Sequence, residues 1–98
     1  MIQHNVFFKW KPSMTRELEA KAFADFRAMA TGIPGVVSVS VGHQDSPEGL
    51  GKGYQVGLSV VFTDAAARDA YLPHPAHVAA VEPIRPHIED VCVLDYAF

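Results

Sequence analysis

Hydrophobic and polar residues alternate over residues 3–10. His4, Val6, Phe8 and Trp10 fall on one side of the implied strand, and Asn5, Phe7 and Lys9 on the other. Phe7 leaves the second side partly apolar, so cover on both faces of a sheet is expected. Pro12 ends the strand because it cannot donate to a ladder. The period then changes. Leu18, Ala22, Phe26, Met29 and Ala30, widened by Phe23, recur at helical spacing and predict a helix over 14–31. Thr15 or Ser13 is placed to cap it, and Glu17 and Glu19 suit the positive end of its dipole. Gly32 fits the position just past the helix, ahead of Pro34. This aromatic and methionine stripe reads as core packing rather than a cofactor box.

Alternation returns at 36–41, where Val and Ser take turns, and predicts a half-buried strand. Residues 42–53 carry four glycines, Asp45, Ser46 and Pro47. They read as a loop between strands, since the glycines neither match a phosphate-binding spacing nor open a helix. A second long strand is predicted over 54–62. Tyr54, Val56, Leu58, Val60 and Phe62 form its core face, and Gln55, Gly57, Ser59 and Val61 a small, weakly polar one that another sheet could approach closely. Thr63-Asp64 offers a cap for a short helix over 65–72. Pro73 and Pro75 break that helix, a second piece follows over 76–81, and Pro83 and Pro86 interrupt what comes next. The last strand is predicted over 89–98, with Val91, Val93 and Asp95 on one face and Cys92, Leu94 and Tyr96 on the other.

Strand, helix, strand, strand, helix, strand is the order of a ferredoxin-like split βαβ protomer. That is an α+β fold with a four-stranded antiparallel sheet and helices on one face. The 98 residues fit a single domain, 1–98. The face without helices would carry Phe7, Val61 and Leu94, so a homodimer formed through the sheet face is expected. Composition narrows the partners. Net charge is -3, with no basic run beyond Lys9 and Lys11, which argues against nucleic acid or a membrane surface. No apolar stretch has the length of a membrane span. The lone Cys92 excludes an internal disulfide, and Met1-Ile2-Gln3-His4 lacks the pattern of a secretory leader, so a cytoplasmic location is expected.

Candidate chemistry concentrates in Tyr71-Leu72-Pro73-His74-Pro75-Ala76-His77-Val78. In the fold drawn above, His4 and Asp95 approach the same end of the layer between sheet and helices. A neutral imidazole is a suitable base near neutral pH, a carboxylate can orient it, and a phenol can polarise a carbonyl or hold an enolate. Tyr71, His77, Asp95 and His4 therefore suit proton abstraction beside a carbonyl, followed by an intramolecular aldol step. One of the histidines is the expected base, oriented by a carboxylate. Val6, Phe8, Phe23, Val56, Leu58, Val91 and Val93 are expected to wall an apolar cavity, with His74 at its rim. Plainer roles fit the same residues. A proline-bounded histidine caps helices, Tyr71 can simply pack, and Asp95 can bond a backbone amide. A metal held by His74 and His77 is disfavoured by Pro75 between them and by the lack of a completing ligand, so no metal and no cofactor are expected. Cys92 points to the sheet's outer face and is not expected to act as a nucleophile. His43 and His87 are expected at the surface.

His4-x-Val6-x-Phe8-x-Trp10, Gly53-Tyr54 leading a strand that ends at Phe62, Tyr71-x-x-His74-Pro75-x-His77-Val78, and Asp95-Tyr96 lie in this order along nearly the whole chain. In these marks the chain resembles the stress-responsive dimeric A/B barrel (Dabb) family. The resemblance implies a ferredoxin-like protomer whose sheets pair into a dimeric barrel. One relative is a cofactor-independent polyketide cyclase. Its catalytic Tyr and His match Tyr71 and His77, a pocket His matches His4, and a late Asp matches Asp95, so the resemblance implies His77 as the base, oriented by Asp95. A further pocket His of that relative falls at Val56, where this chain departs. Some relatives also bind magnesium, for which no acidic cluster is present here. Two functions follow as expectations. One is a cyclase or aldol-type enzyme acting on a small apolar or polyketide-like carbonyl compound. The other is a stress-protective barrel that holds a small apolar ligand without turning it over.

Overall fold

The structure, a computed structural model, describes residues 1–98. β1 (Ile2–Trp10), α1 (Arg16–Gly32), β2 (Val36–His43), β3 (Val56–Phe62), α2 (Ala65–Tyr71), α3 (Pro75–Val81) and β4 (Ile88–Ala97) follow in order, with a 3₁₀ turn at Arg85–His87 before β4. The strands form one antiparallel sheet in the order β2-β3-β1-β4. The helices lie on one face, so the expected ferredoxin-like α+β architecture is the one observed.

Local chemistry sets the helix ends. Thr15 Oγ1 accepts from the Leu18 N–H at 3.1 Å and starts α1, and Asp64 accepts from the Ala67 N–H at 2.8 Å and starts α2. Gly32 is not the left-handed cap that was expected. α1 runs through it, and Ile33 closes the helix with its N–H on the Met29 carbonyl. The glycine that needs its freedom is Gly35. Its φ is +85°, and a Cβ there would lie 2.5 Å from the Ala67 Cβ. That contact lets α2 settle against the start of β2.

The core lies between the sheet and α1, α2 and α3. Val6, Phe8, Trp10, Val56, Leu58, Val60 and Phe62 from the sheet meet Ala22, Phe23, Phe26, Met29, Tyr71, Ala80 and Ile84. β3 alternates buried and half-buried residues as predicted. Two elements differ from expectation. A bulge between Val36 and Ser38 turns Val37 outward, so β2 buries Val36, Val39 and Val41 only in part. Tyr54 precedes β3 and is not on the core face. Its hydroxyl donates to Asp90 at 2.7 Å, and Lys9 Nζ lies 4.9 Å from its ring.

β4 is an edge strand that no helix covers. Its inward row, Val91 and Val93, remains about half exposed, as does its outward row, Leu94 and Tyr96. On the face away from the helices, Phe7 lies across Gly57, next to Gly42, and Gln3, Asn5 and Ser59 share hydrogen bonds.

Candidate functional site

The corner between α2 and α3 is built by its prolines. Pro73 and Pro75 have no N–H to give, so the carbonyls that end α2 need other donors. The His74 N–H takes the Tyr71 carbonyl at 3.0 Å. His74 then caps α3: its Nδ1 accepts from the Ala76 N–H at 3.1 Å. That N–H is the one a continuing helix would have given to Leu72. The Leu72 carbonyl is taken instead by His77 Nδ1, at 2.9 Å. A carbonyl only accepts, so neutral His77 carries its proton on Nδ1 and presents a lone pair on Nε2. Burial holds the His77 pKa below its ordinary value. The Leu72 hydrogen bond opposes that shift, and His4 and Arg85 reinforce it.

Tyr71 ends α2 and is 1% exposed. Its ring stands edge-on to Phe62 at 5.0 Å and to His4 at 5.6 Å, and His77 lies over it at 4.1 Å. Burial, with the Asp95 charge adding to it, pushes the phenol pKa far up, so the hydroxyl stays protonated. No protein group hydrogen-bonds that hydroxyl.

Sheet register supplies the other side. His4 of β1 pairs with Asp95 of β4. His4 Nδ1 donates to Asp95 Oδ1 at 2.7 Å, which again leaves a free Nε2 in the neutral ring. The second oxygen, Oδ2, accepts from the Arg68 guanidinium at 3.0 Å. This corrects the expected pairing: Asp95 orients His4, and the Leu72 carbonyl orients His77. The reason is distance along the strands, since Asp95 sits beside His4 in the sheet while His77 faces the corner of its own helix pair. Arg68 was missed from the sequence. Its place three residues before Tyr71, on the same side of α2, was the available signal.

The structure brings His4, Tyr71, His77 and Asp95 together. It does not gather the seven expected wall residues around one cavity. Val6, Phe8, Phe23, Val56 and Leu58 are packed into the core, because Phe26, Met29 and Ile84 fill the space between the layers. Val91 and Val93 instead lie open on β4, in the same row as Asp95. A hollow of ≈ 480 Å³ lies elsewhere, between Phe7, Leu50 and Tyr54. His74 and His77 turn their Nδ1 atoms to separate backbone groups, and no three His, Cys, Asp or Glu side chains gather at metal-binding spacing. His43 is exposed and meets Glu19, His87 meets Ser13, and Cys92 lies exposed on the outer face.

The sequence pattern of the Stress responsive A/B Barrel Domain matches residues 2–98. The chain belongs to that family. Among similar proteins, olivetolic acid cyclase from Cannabis sativa is 24% identical over 95 residues, which cover 97% of this chain and 94% of that protein. A dabb family protein with a ferredoxin-like fold from Mesorhizobium loti is 32% identical, with a TM-score of 0.78, and covers 99% of this chain and 95% of its own. A dimeric ferredoxin-like protein of unknown function from Jannaschia sp. CCS1 is 25% identical, with a TM-score of 0.88, over 99% of this chain and 98% of its own. The A/B barrel family and its fold are thus those the sequence marks pointed to. No helix of this A/B barrel protein is long and apolar enough to cross a membrane.

Proposed function

We propose that this A/B barrel protein is a cofactor-independent enzyme of the cyclase or aldol type, acting on a small apolar, polyketide-like carbonyl compound. One observation carries the reading. A buried phenol with no protein hydrogen bond stands between two imidazoles, each held by its Nδ1 and each with Nε2 left for a substrate. A residue that only packs the core has no need of two such neighbours. The similarity to a polyketide cyclase supports the same chemistry.

In this reading His77 Nε2 removes a proton from a carbon flanked by carbonyls. The Tyr71 hydroxyl donates a hydrogen bond to the enolate oxygen that forms. The enolate carbon attacks a second carbonyl of the same molecule, making the ring bond, and the new alkoxide takes the proton back from His77. His4, held by Asp95, stands edge-on to the Tyr71 ring and helps fix the position of the phenol. Burial keeps His77 neutral at neutral pH, as a base must be. The apolar part of the substrate lies along Val91 and Val93, and the packed residues Val6, Phe8, Phe23, Val56 and Leu58 form the floor behind the site.

Two copies pair through the sheet faces that the helices leave bare, as the dimeric state of a similar structure supports. Gly42, with open space where a Cβ would stand, gives the partner's side chains room there. A cytoplasmic location goes with the exposed free thiol of Cys92.

Short β-polyketo thioesters are the probe. Wild-type protein should release ring-closed product, and His77→Ala should abolish it while the fold survives. Undiminished turnover by His77→Ala would sink the role of the base. Tight binding of the thioester with no product from wild type would favour the ligand-holding alternative. Sedimentation as a monomer at micromolar concentration would count against the dimer.

A further inference from the structure

Three side chains run inward from the surface beside this site. Arg68 is about a quarter exposed, Asp95 a fifth, and His4 almost closed off. Arg68 comes from α2, Asp95 from β4 and His4 from β1, so their meeting joins three elements. The guanidinium gives Nε to Asp69 at 2.9 Å and an NH1 donor to Asp95 Oδ2 at 3.0 Å. Asp95 Oδ1 then receives the His4 Nδ1 proton at 2.7 Å. Asp69 and Asp95 both raise the Arg68 pKa, so the guanidinium stays charged.

We propose that Arg68 is a positioning residue that acts on His4 through Asp95 and fixes which ring nitrogen of His4 carries the proton. This rests on the reading of the site given above, but its physical content is separate from turnover. The end torsion of an aspartate is broad and nearly two-fold. Asp95 belongs to an edge strand with no helix over it, so its own packing does not settle that torsion. Pinning Oδ2 to a guanidinium on α2 leaves Oδ1 in the plane that meets His4 Nδ1. His4 Nε2 is left as an acceptor. Without Arg68 the carboxylate can turn, and the ring loses its single tautomer.

Arginine suits the task and lysine does so less well. The planar fork reaches Asp69 and Asp95 at once, whereas an ammonium is a point charge that need not hold either oxygen in a fixed plane. Asp69 is mostly exposed and serves only to steady the guanidinium.

The test reads the ring nitrogens of His4 by nitrogen-15 NMR in substrate-free protein. Wild type should show one neutral tautomer, protonated at Nδ1. Arg68→Met should give signals averaged between the two neutral tautomers, and Arg68→Lys should restore the wild-type pattern in part. Asp69→Asn should leave the pattern unchanged. His4 signals in Arg68→Met identical to wild type would overturn the proposal. So would an Asp69→Asn change as large as that of Arg68→Met, which would mean that local charge in general is responsible. Arg68→Gln serves the same purpose where Arg68→Met fails to fold. With the thioester probe, kcat of Arg68→Met should fall roughly ten- to a hundredfold with KM unchanged, the usual cost of losing a group that orients an imidazole ligand or base. A wild type that shows no turnover removes the enzyme reading while leaving the tautomer result to stand or fall by itself.

Discussion

Two histidine–carboxylate pairs stand near opposite ends of β1, roughly 20 Å apart for six residues of strand. At one end His43 meets Glu19 at 2.5 Å, and Glu19 also accepts the Trp10 indole N–H at 2.7 Å. At the other end His4 meets Asp95 at 2.7 Å. The two pairs look alike in a list of contacts. They differ in burial and in what is left unbonded. His43 is mostly exposed and its carboxylate is occupied by a core tryptophan, so the group ties α1 to the ends of β1 and β2. His4 is almost fully buried, and it faces a phenol that bonds nothing in the protein. A histidine–carboxylate contact is therefore weak information by itself. The burial of the rings and the polar atoms around them that remain unbonded to protein separate a clamp from a site.

The comparison can be broken at either end. The largest expected effect is on turnover at the His4 end. His77→Ala should lower probe turnover by roughly 10²–10⁴-fold, the range for a general base, while His43→Ala leaves it unchanged. An equal loss in both variants, measured by product formation, would erase the distinction. Tyr71→Phe sharpens it. Turnover should fall by roughly 10²–10³-fold, as when one donor to a developing oxyanion is removed. Its stability should stay within about 0.5 kcal/mol of wild type, because the lost hydroxyl has no protein partner. A large drop in the denaturant midpoint would show that the hydroxyl is structural after all.

At the far end the signs reverse. Glu19→Ala leaves the Trp10 indole N–H without its acceptor and should cost about 1–3 kcal/mol of stability, with turnover of the surviving folded protein intact. Unfolding by urea, followed through the Trp10 fluorescence, measures the first, and the thioester assay the second. A smaller loss, about 1 kcal/mol, is expected for Asp64→Ala, which removes the cap of α2.

The smallest effect is a pH dependence. The His77 pKa is lowered in the fold, chiefly by burial. Between that lowered value and the unfolded value of about 6.5, the unfolded chain binds more protons than the native one. His77 therefore favours the fold fully above the unfolded value, and this contribution is lost as pH falls through the folded value. The urea midpoint of wild type should drop more between about pH 7 and about pH 5 than that of His77→Gln. Parallel curves would mean that burial of His77 has no linkage to stability.

Much of this was legible in the chain. The alternation of His4, Val6, Phe8 and Trp10, and of Val56 to Phe62, placed both central strands with the correct faces inward. Asp64 and Thr15 announced the helix starts. The Tyr71 to Val78 segment, together with His4 and Asp95, marked one end of the fold as the candidate site and carried the family resemblance. The misreadings have physical causes. Gly32 was placed by its distance from a helix end, whereas a close approach by Ala67, distant in sequence, puts the need at Gly35. Tyr54 was assigned by parity to the core face, but the hydrogen bond to Asp90 and the Lys9 ammonium hold it on the opposite side.

The sequence by itself determined the periods, the caps and the set of chemical groups, because these depend on neighbours within a few residues. Only the tertiary structure decided who bonds to whom at the site. Asp95 was within plausible reach of either histidine, and the register of β1 with β4 gave it to His4, while capture of the Ala76 N–H by His74 left the Leu72 carbonyl to His77. Arg68 entered because α2 docks beside the edge of the sheet, and Val91 and Val93 stayed open because no helix covers β4. Such pairings join residues up to 91 positions apart. They depend on sheet register and helix placement, which are set by packing of the whole core rather than by any local run of residues.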